Sequence, residues 1–306
     1  MQKQIFNIGD YQDATIIKEL AVISGKGGTG KTSITASFAA LADRPVLVDC
    51  DVDAADLHLI LRPQVKRQSD FYSGHEAVIR GEDCSGCGIC RDYCRYDAVK
   101  TNGEATDNPA FRIDSVACEG CGVCVHFCPD QAIDFPERLC GEWMISDTRY
   151  GPMVHARLGI ASENSGKLVS TVRREARRIA EEQQHALIIV DSPPGIGCPV
   201  IASITGASQV LIVTEPTVSG EHDLERVLSL TKHFGIPTSI CVNKWDLNPE
   251  MTDRIEEHGR TAGASVAGRV RYDPAITDAQ LQELAAVETN APCAIDIQKL
   301  WENLTI

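Results

Sequence analysis

The chain has 306 residues, 43% of them apolar and 24% charged, which is material for one large core or two smaller ones. A formal net charge of −14 disfavours nucleic-acid wrapping and polybasic attachment to membranes. No apolar run reaches the roughly 18 residues of a membrane span, and residues 1–15 lack the apolar centre of a signal peptide. Those first residues are read as a leader. Glu19–Ser24 is predicted as a buried strand, followed by a glycine loop and a helix from Lys31 to Ala42. Val46–Asp49, Leu187–Asp191, Val210–Thr214 and Ser239–Asn243 are further short apolar runs. Unbroken apolarity suits parallel strands covered on both faces. Leu168, Val169, Val172, Ala176, Ile179 and Ala180 recur near a helical period within Leu168–Gln184. Strand–helix alternation predicts an α/β fold with a doubly wound, mostly parallel sheet.

Between His75 and Leu139 this pattern breaks, and cysteine, glycine and acids replace the core-forming runs. Residues 75–139 are expected to form an inserted domain that depends on bound metal. Residues 16–74 and 140–306 would then be the two parts of the main domain, with Trp143–Ile160 a hairpin leading back into it. Near the end, Ile297, Leu300, Trp301 and Leu304 share a helical face. Only Lys299 is basic there, so core packing is expected rather than a membrane surface. Arg173, Arg174, Arg177 and Arg178 are read as a solvated basic helix face.

Gly25-Lys26-Gly27-Gly28-Thr29-Gly30-Lys31-Thr32, followed by Ser33, lies between the first strand and the first helix. That is the context of a phosphate-binding loop. Backbone N–H groups at a helix start cradle phosphate. Lys31 is expected to reach the β- and γ-phosphates of ATP, and the Thr32 hydroxyl to hold Mg²⁺. Asp49, Asp51 and Asp53 alternate along an extended segment, which turns them to one side.

Two cysteine runs follow, Cys84-x2-Cys87-x2-Cys90-x3-Cys94 and Cys118-x2-Cys121-x2-Cys124-x3-Cys128-Pro129. With no secretory signal, they read as metal ligands in a reducing, cytoplasmic compartment. Their spacing resembles that of bacterial ferredoxins with two 4Fe–4S clusters, in which the fourth cysteine of each run serves the other cluster. The assignment is therefore Cys84, Cys87, Cys90 and Cys128 to one cluster, and Cys118, Cys121, Cys124 and Cys94 to the other. Zinc is the alternative, although it favours paired CxxC spacing. Arg95 stands where proline often follows the fourth cysteine. Cys50 and Cys241 are expected to be packing residues, and Cys198 is left open between packing and a redox role.

Lys26, just after Gly25, makes the loop resemble the deviant Walker A group of MinD, Mrp and the nitrogenase iron protein. That resemblance implies a homodimer sandwiching two ATP molecules, with Lys26 crossing to the partner's nucleotide. It also implies that Asp51 orients the attacking water, that Asp49 supports Mg²⁺, and that Asp191-Ser192-Pro193-Pro194-Gly195-Ile196-Gly197 senses the γ-phosphate. Asn243 would face adenine, and Asp273-Pro274 would close over the base. The chain after residue 16 resembles MinD-superfamily P-loop ATPases carrying an inserted bacterial-ferredoxin-like α+β domain. Tyr150-Gly151-Pro152, Glu163–Leu168, Gly195–Val200 and Thr214-Glu215-Pro216-Thr217 add to that likeness. The implied activity is ATP hydrolysis, slow without a partner, coupled to electron transfer towards a redox or client protein. An Mrp-like cluster carrier and a MinD- or ParA-like spatial organiser are the competing functions. Neither nucleic acid nor a membrane is an expected partner.

Overall fold

The computed structural model describes residues 16–102, 110–159 and 164–304. The leader at 1–15, the hairpin end at Ile160 and Glu163 lie outside the described residues. In chain order the strands are β1 (Lys18–Ser24), β2 (Val46–Asp49), β3 (Gln64–His75), β4 (Val78–Ile79), β5 (Val99–Thr101), β6 (Phe111–Ile113), β7 (Ile133–Asp134), β8 (Glu137–Asp147), β9 (Pro152–Leu158), β10 (Leu187–Pro194), β11 (Gln209–Thr214), β12 (Thr238–Asn243) and β13 (Ser265–Val270). The helices are α1 (Lys31–Leu41), α2 (Leu57–Leu61), α3 (Ile89–Asp92), α4 (Val123–Phe127), α5 (Ser165–Gln183), α6 (Cys198–Ile204), α7 (Val218–His233), α8 (Pro249–Thr261), α9 (Ala275–Leu281) and α10 (Pro292–Glu302).

Two compact units emerge. The first takes the described parts of 1–68, 143–156 and 165–306, and the second those of 69–142 and 157–164. The second is wider than the expected 75–139. The division falls inside β3, β8 and β9. The large sheet runs β13-β12-β11-β1-β10-β2-β9-β8-β3. Every neighbouring pair from β13 to β9 is parallel. β1 is central, between β10 and β11, which is why Leu20, Ala21, Val22 and Ile23 are all buried without alternation.

In the first unit, α1 buries nearly its whole length, with Ile34 and Phe38 packed among Leu20, Leu47, Ile189 and Leu211. α10 closes this core with Ile297 and Leu300, and the Trp301 ring lies 4.9 Å from that of Phe38. The last helix therefore packs inward, as its apolar spacing predicts. Cys50 and Cys241 are fully buried, in keeping with a packing role, whereas Cys198 is exposed.

Within the basic run on α5, Arg174 and Arg177 are exposed as expected, and Arg173 is a correction. Arg173 does not lie on a solvated face. Its guanidinium bonds Glu19 Oε1 at 2.7 Å and the carbonyls of Ala202 and Thr205 at 2.7 and 2.8 Å. It thereby satisfies the C-terminal end of α6 as well as an acid that is only 5% exposed. Burial pushes the Glu19 carboxyl up, and Arg173 opposes this.

The second unit holds two short antiparallel ladders, β4–β7 and β5–β6, with α3 and α4. Its small core includes Ala77, Cys90, Val99, Phe111 and Ile133. The sequence repeat is also a conformational repeat. Gly88 and Gly122 start α3 and α4 with φ of 78° and 71°, and Asp97 and Gln131 repeat at 52° and 50°. A left-handed backbone at those helix starts is why glycine recurs there.

Replacing Arg173 by alanine strands Glu19 in the core. Urea unfolding should show a loss of about 3 kcal/mol, largely recovered in Arg173→Ala/Glu19→Gln, as expected for a broken buried ion pair. A loss under about 0.5 kcal/mol would place the pair among surface contacts.

Candidate functional site

The phosphate loop runs from the end of β1 into α1. Gly30, at φ 87°, precedes the helix, and a Cβ there would meet Asn243 Nδ2 at 2.3 Å. Gly25 faces the other way, where a Cβ would stand 2.4 Å from that of Asp223 on α7. The loop is thus pinned between β12 and α7, and only glycine fits at either contact. Asn243 completes the pinning, with Nδ2 donating to Thr29 O at 2.7 Å and Oδ1 accepting from Lys244 N at 3.0 Å.

A cleft of about 760 Å³ opens beside this loop, a volume suited to a nucleotide. Gly27, Gly28, Thr29, Gly30, Lys31, Thr32 and Ser33 line one end. Asp51 and Asp53 line another part, with Pro193 and Pro194 from the end of β10. Tyr272, Asp273, Ile276 and Gln280 also line the cleft, and Gln280 Nε2 donates to Ser33 Oγ at 2.8 Å.

Beneath the loop, β2 and β10 place Asp49 and Asp191 directly beside each other. Lys31 Nζ bonds Asp191 Oδ1 at 2.8 Å, the Thr32 hydroxyl donates to Asp191 Oδ2 at 2.7 Å, and the Thr35 hydroxyl to Oδ1 at 3.0 Å. Asp49 Oδ1 accepts from Asp51 N at 3.1 Å, while Asp49 Oδ2 is buried without a partner. The buried Thr29 and Ser192 hydroxyls also lack one. Burial and the Asp191 carboxylate push Asp49 well above the carboxylate range. Asp51 is pushed up to about 6, chiefly by burial, with Lys31 opposing and Asp191 adding to the rise. Burial works against the Lys31 ammonium, yet Asp191, Asp51 and Asp49 together hold its pKa above the usual lysine value. Orphaned oxygens beside a crowded pair of carboxylates fit a hard cation with phosphate oxygens.

Lys26 does not line the cleft. Its ammonium reaches Ser219 Oγ at 3.1 Å, Glu215 Oε2 at 3.3 Å and Thr217 Oγ1 at 3.4 Å. Asp273 does line it, but its carboxylate accepts from Ala275 N and Cys293 N at 3.0 and 3.3 Å. Those bonds hold it below the usual aspartate range, the Ala275 N–H contributing most. It ties α9 to α10. Pro274 caps α9 and is not part of the wall. Thr35 and Gln280 escaped the sequence reading. Of these, Thr35 had a signal, since it stands one helical turn after Lys31 and so faces the same way.

In the second unit none of the eight motif cysteines is paired in a disulfide. One small cavity is lined by Cys84, Cys87, Cys90 and Cys128, and a second by Cys94, Cys118, Cys121 and Cys124. Phe111 walls the first and Phe135 the second. Ala98 N donates to Cys94 Sγ at 3.3 Å, and Ala132 N to Cys128 Sγ at 3.4 Å. Burial pushes Cys124 up to about 11, with Cys118 adding to the rise, and burial also raises Cys90. Four thiols around one cavity are a donor set for soft metals. Among the described residues, no group of three or more His, Cys, Asp or Glu stands in position to hold a single metal ion.

Residues 20–286 match the CobQ/CobB/MinD/ParA nucleotide binding domain, CbiA. An uncharacterized protein of Methanocaldococcus jannaschii is 34% identical over 237 residues, covering 76% of this chain and 80% of that protein. Among solved structures, the septum site-determining protein MinD of Pyrococcus horikoshii, complexed with Mg-ADP, aligns with a TM-score of 0.54 at 16% identity, covering 95% of this chain and all of that one. The MinC:MinD complex of Aquifex aeolicus aligns at 0.55 and 18% identity, over 93% and 94% of the two chains. Among the described residues, no helix is long and apolar enough to cross a membrane. With the phosphate loop, the paired carboxylates and the parallel sheet in agreement, the chain belongs to the MinD/ParA nucleotide-binding family and is a P-loop ATPase.

Proposed function

We propose that this ATPase works as a nucleotide-driven dimer switch, and that its cysteine unit transfers electrons to a partner protein under control of that switch. The observation that carries the redox half is the sorting of eight thiols into two cavities, four to each, in the crossed pattern of two-cluster ferredoxins. Cys84, Cys87, Cys90 and Cys128 would hold one 4Fe–4S cluster, and Cys94, Cys118, Cys121 and Cys124 the other. Bound there, the clusters would supply one-electron chemistry. The backbone N–H groups of Ala98 and Ala132, aimed at two of the sulfurs, are the kind of donor that tunes cluster potential.

In the nucleotide half, Lys31 would leave Asp191 for the β- and γ-phosphates. Thr32 and Asp49 offer oxygen to Mg²⁺, which would neutralise phosphate charge. Asp51 lines the cleft and would orient the attacking water, and Asp191 would sense whether Lys31 is engaged. Gly25 to Ser33 would cradle the phosphates, with Asn243 and Asp273 framing the base end. Lys26 does not line its own cleft and bonds Ser219, which is compatible with a lysine that serves a partner subunit's nucleotide. The Mg-ADP of the P. horikoshii relative supports the same ligand class here. Chain order supports coupling: residues 69–142 fall after Asp51 and before Asp191, between the two phosphate-sensing segments.

A second reading is a MinD- or ParA-like spatial organiser that binds a partner protein and does no redox chemistry. The relatives' names favour it, among them the A. aeolicus MinD seen with MinC. ATP turnover separates the two. The redox reading expects different rates in reduced, oxidised and cluster-free protein, and the organiser reading expects one rate in all three.

Anaerobically purified protein should contain about eight irons and eight sulfides per chain. Cys90→Ser and Cys124→Ser should each bring this to about four, since each removes a ligand from a different cluster. Zinc in place of iron would end the redox reading. The kcat/KM for ATP hydrolysis should fall through an acid limb centred near pH 6, the value to which burial pushes Asp51 in the nucleotide-free protein. In Asp51→Asn that limb should vanish with most of the activity. A limb near pH 4, the ordinary aspartate value, would remove Asp51 from the role. Lys31→Ala should lower hydrolysis by at least about a hundredfold, the usual scale for losing a preorganised charge.

A further inference from the structure

Glu215 follows β11 and sits in a tight turn before α7. Thr217 N bonds Glu215 O at 2.8 Å, and a Cβ on Gly220 would stand 2.3 Å from that same carbonyl oxygen. The turn fixes the residue's backbone, and the side chain is only 14% exposed. Each carboxylate oxygen serves a different lysine. Oε2 faces Lys26 Nζ at 3.3 Å, and Oε1 pairs with Lys244 Nζ. Lys244 is itself held close to the phosphate loop: its backbone is left-handed, at φ 57°, and its ammonium donates to Gly28 O at 3.3 Å. Thr217 and Ser219 complete the cage around Lys26.

We infer that Glu215 is a positioning residue that clasps Lys26 within its own subunit and sets the ATP concentration needed for dimer formation. The inference rests on the reading of Lys26 as the lysine that crosses to a partner. Two ammonium groups share one carboxylate, so the clasp can release one and keep the other. If Lys26 leaves, Glu215 still has Lys244, and no carboxylate is stranded. Lys26 is 30% exposed, so its hold on Glu215 is weak enough for a partner's phosphates to overcome. The same carboxylate joins the segment after β12 to the lysine that would reach across. Nucleotide binding beside Asn243 and Lys244 would thus be felt at Lys26.

The test is ATP-dependent dimerisation, followed by light scattering on the full chain. Glu215→Gln should dimerise at an ATP concentration about fivefold lower than the parent, the worth of one partly exposed ion pair. Glu215→Asp should return towards the parent value. Ser219→Ala, which loosens the cage without touching the carboxylate, should shift the same way by a smaller factor. Lys26→Ala is the control on the underlying reading. If it dimerises with ATP as the parent does, that reading fails. If Lys26→Ala does not dimerise, but Glu215→Gln and Ser219→Ala need as much ATP as the parent or more, the clasp is overturned while the crossing lysine stands.

Discussion

One ammonium and two carboxylates share the space under the phosphate loop. Lys31 bonds Asp191, and Asp49 lies alongside on the neighbouring strand. Two buried acids so close resist joint ionisation, and Lys31 is the cation that offsets them. A phosphate that draws Lys31 away leaves Asp49 and Asp191 to find another cation, and Mg²⁺ is the natural one. On the proposed reading, the nucleotide and its metal would be linked through a pair of charges that the parallel sheet holds in register. The phosphate loop, the pinning by Asn243 and the contact of Gly25 with α7 all serve to place that one lysine.

The second unit has a different logic. Its core is small, and Cys90 belongs to it. The thiols are therefore part of what packs the unit as well as its candidate ligands. A domain of this kind gains stability when its ligands are engaged. The doubled glycine turns at Gly88 and Gly122 and the doubled left-handed residues at Asp97 and Gln131 build two halves of one design. Each half lends its last cysteine to the other cavity, so the halves are locked by exchange.

Much of the sheet was legible because central parallel strands bury both faces and so read as unbroken apolar runs. β1, β2, β10, β11 and β12 all carry that signature. β3 does not: Gln64–His75 is mostly exposed and polar, and no periodicity marks it as a strand. Arg173 was misread because a charged run on a helix cannot show which residue turns inward to meet Glu19. The phosphate loop was plain from its glycines and lysines. The use of the Asp273 carboxylate to join α9 and α10 was not, because that depends on which backbone N–H groups the fold brings within reach. Glu215 stood within a recognised segment without a role, since its two lysines come from β1's loop and from the end of β12, far apart in sequence.

The central claim is that the nucleotide state reaches the cysteine unit. Electron paramagnetic resonance of the anaerobically reduced protein, recorded without nucleotide and then with Mg-ATP, tests it most directly. The account predicts 4Fe–4S signals whose g-values or relaxation change on adding Mg-ATP, and no such change in Lys31→Ala. Spectra that contain both clusters and are identical with and without nucleotide would contradict it.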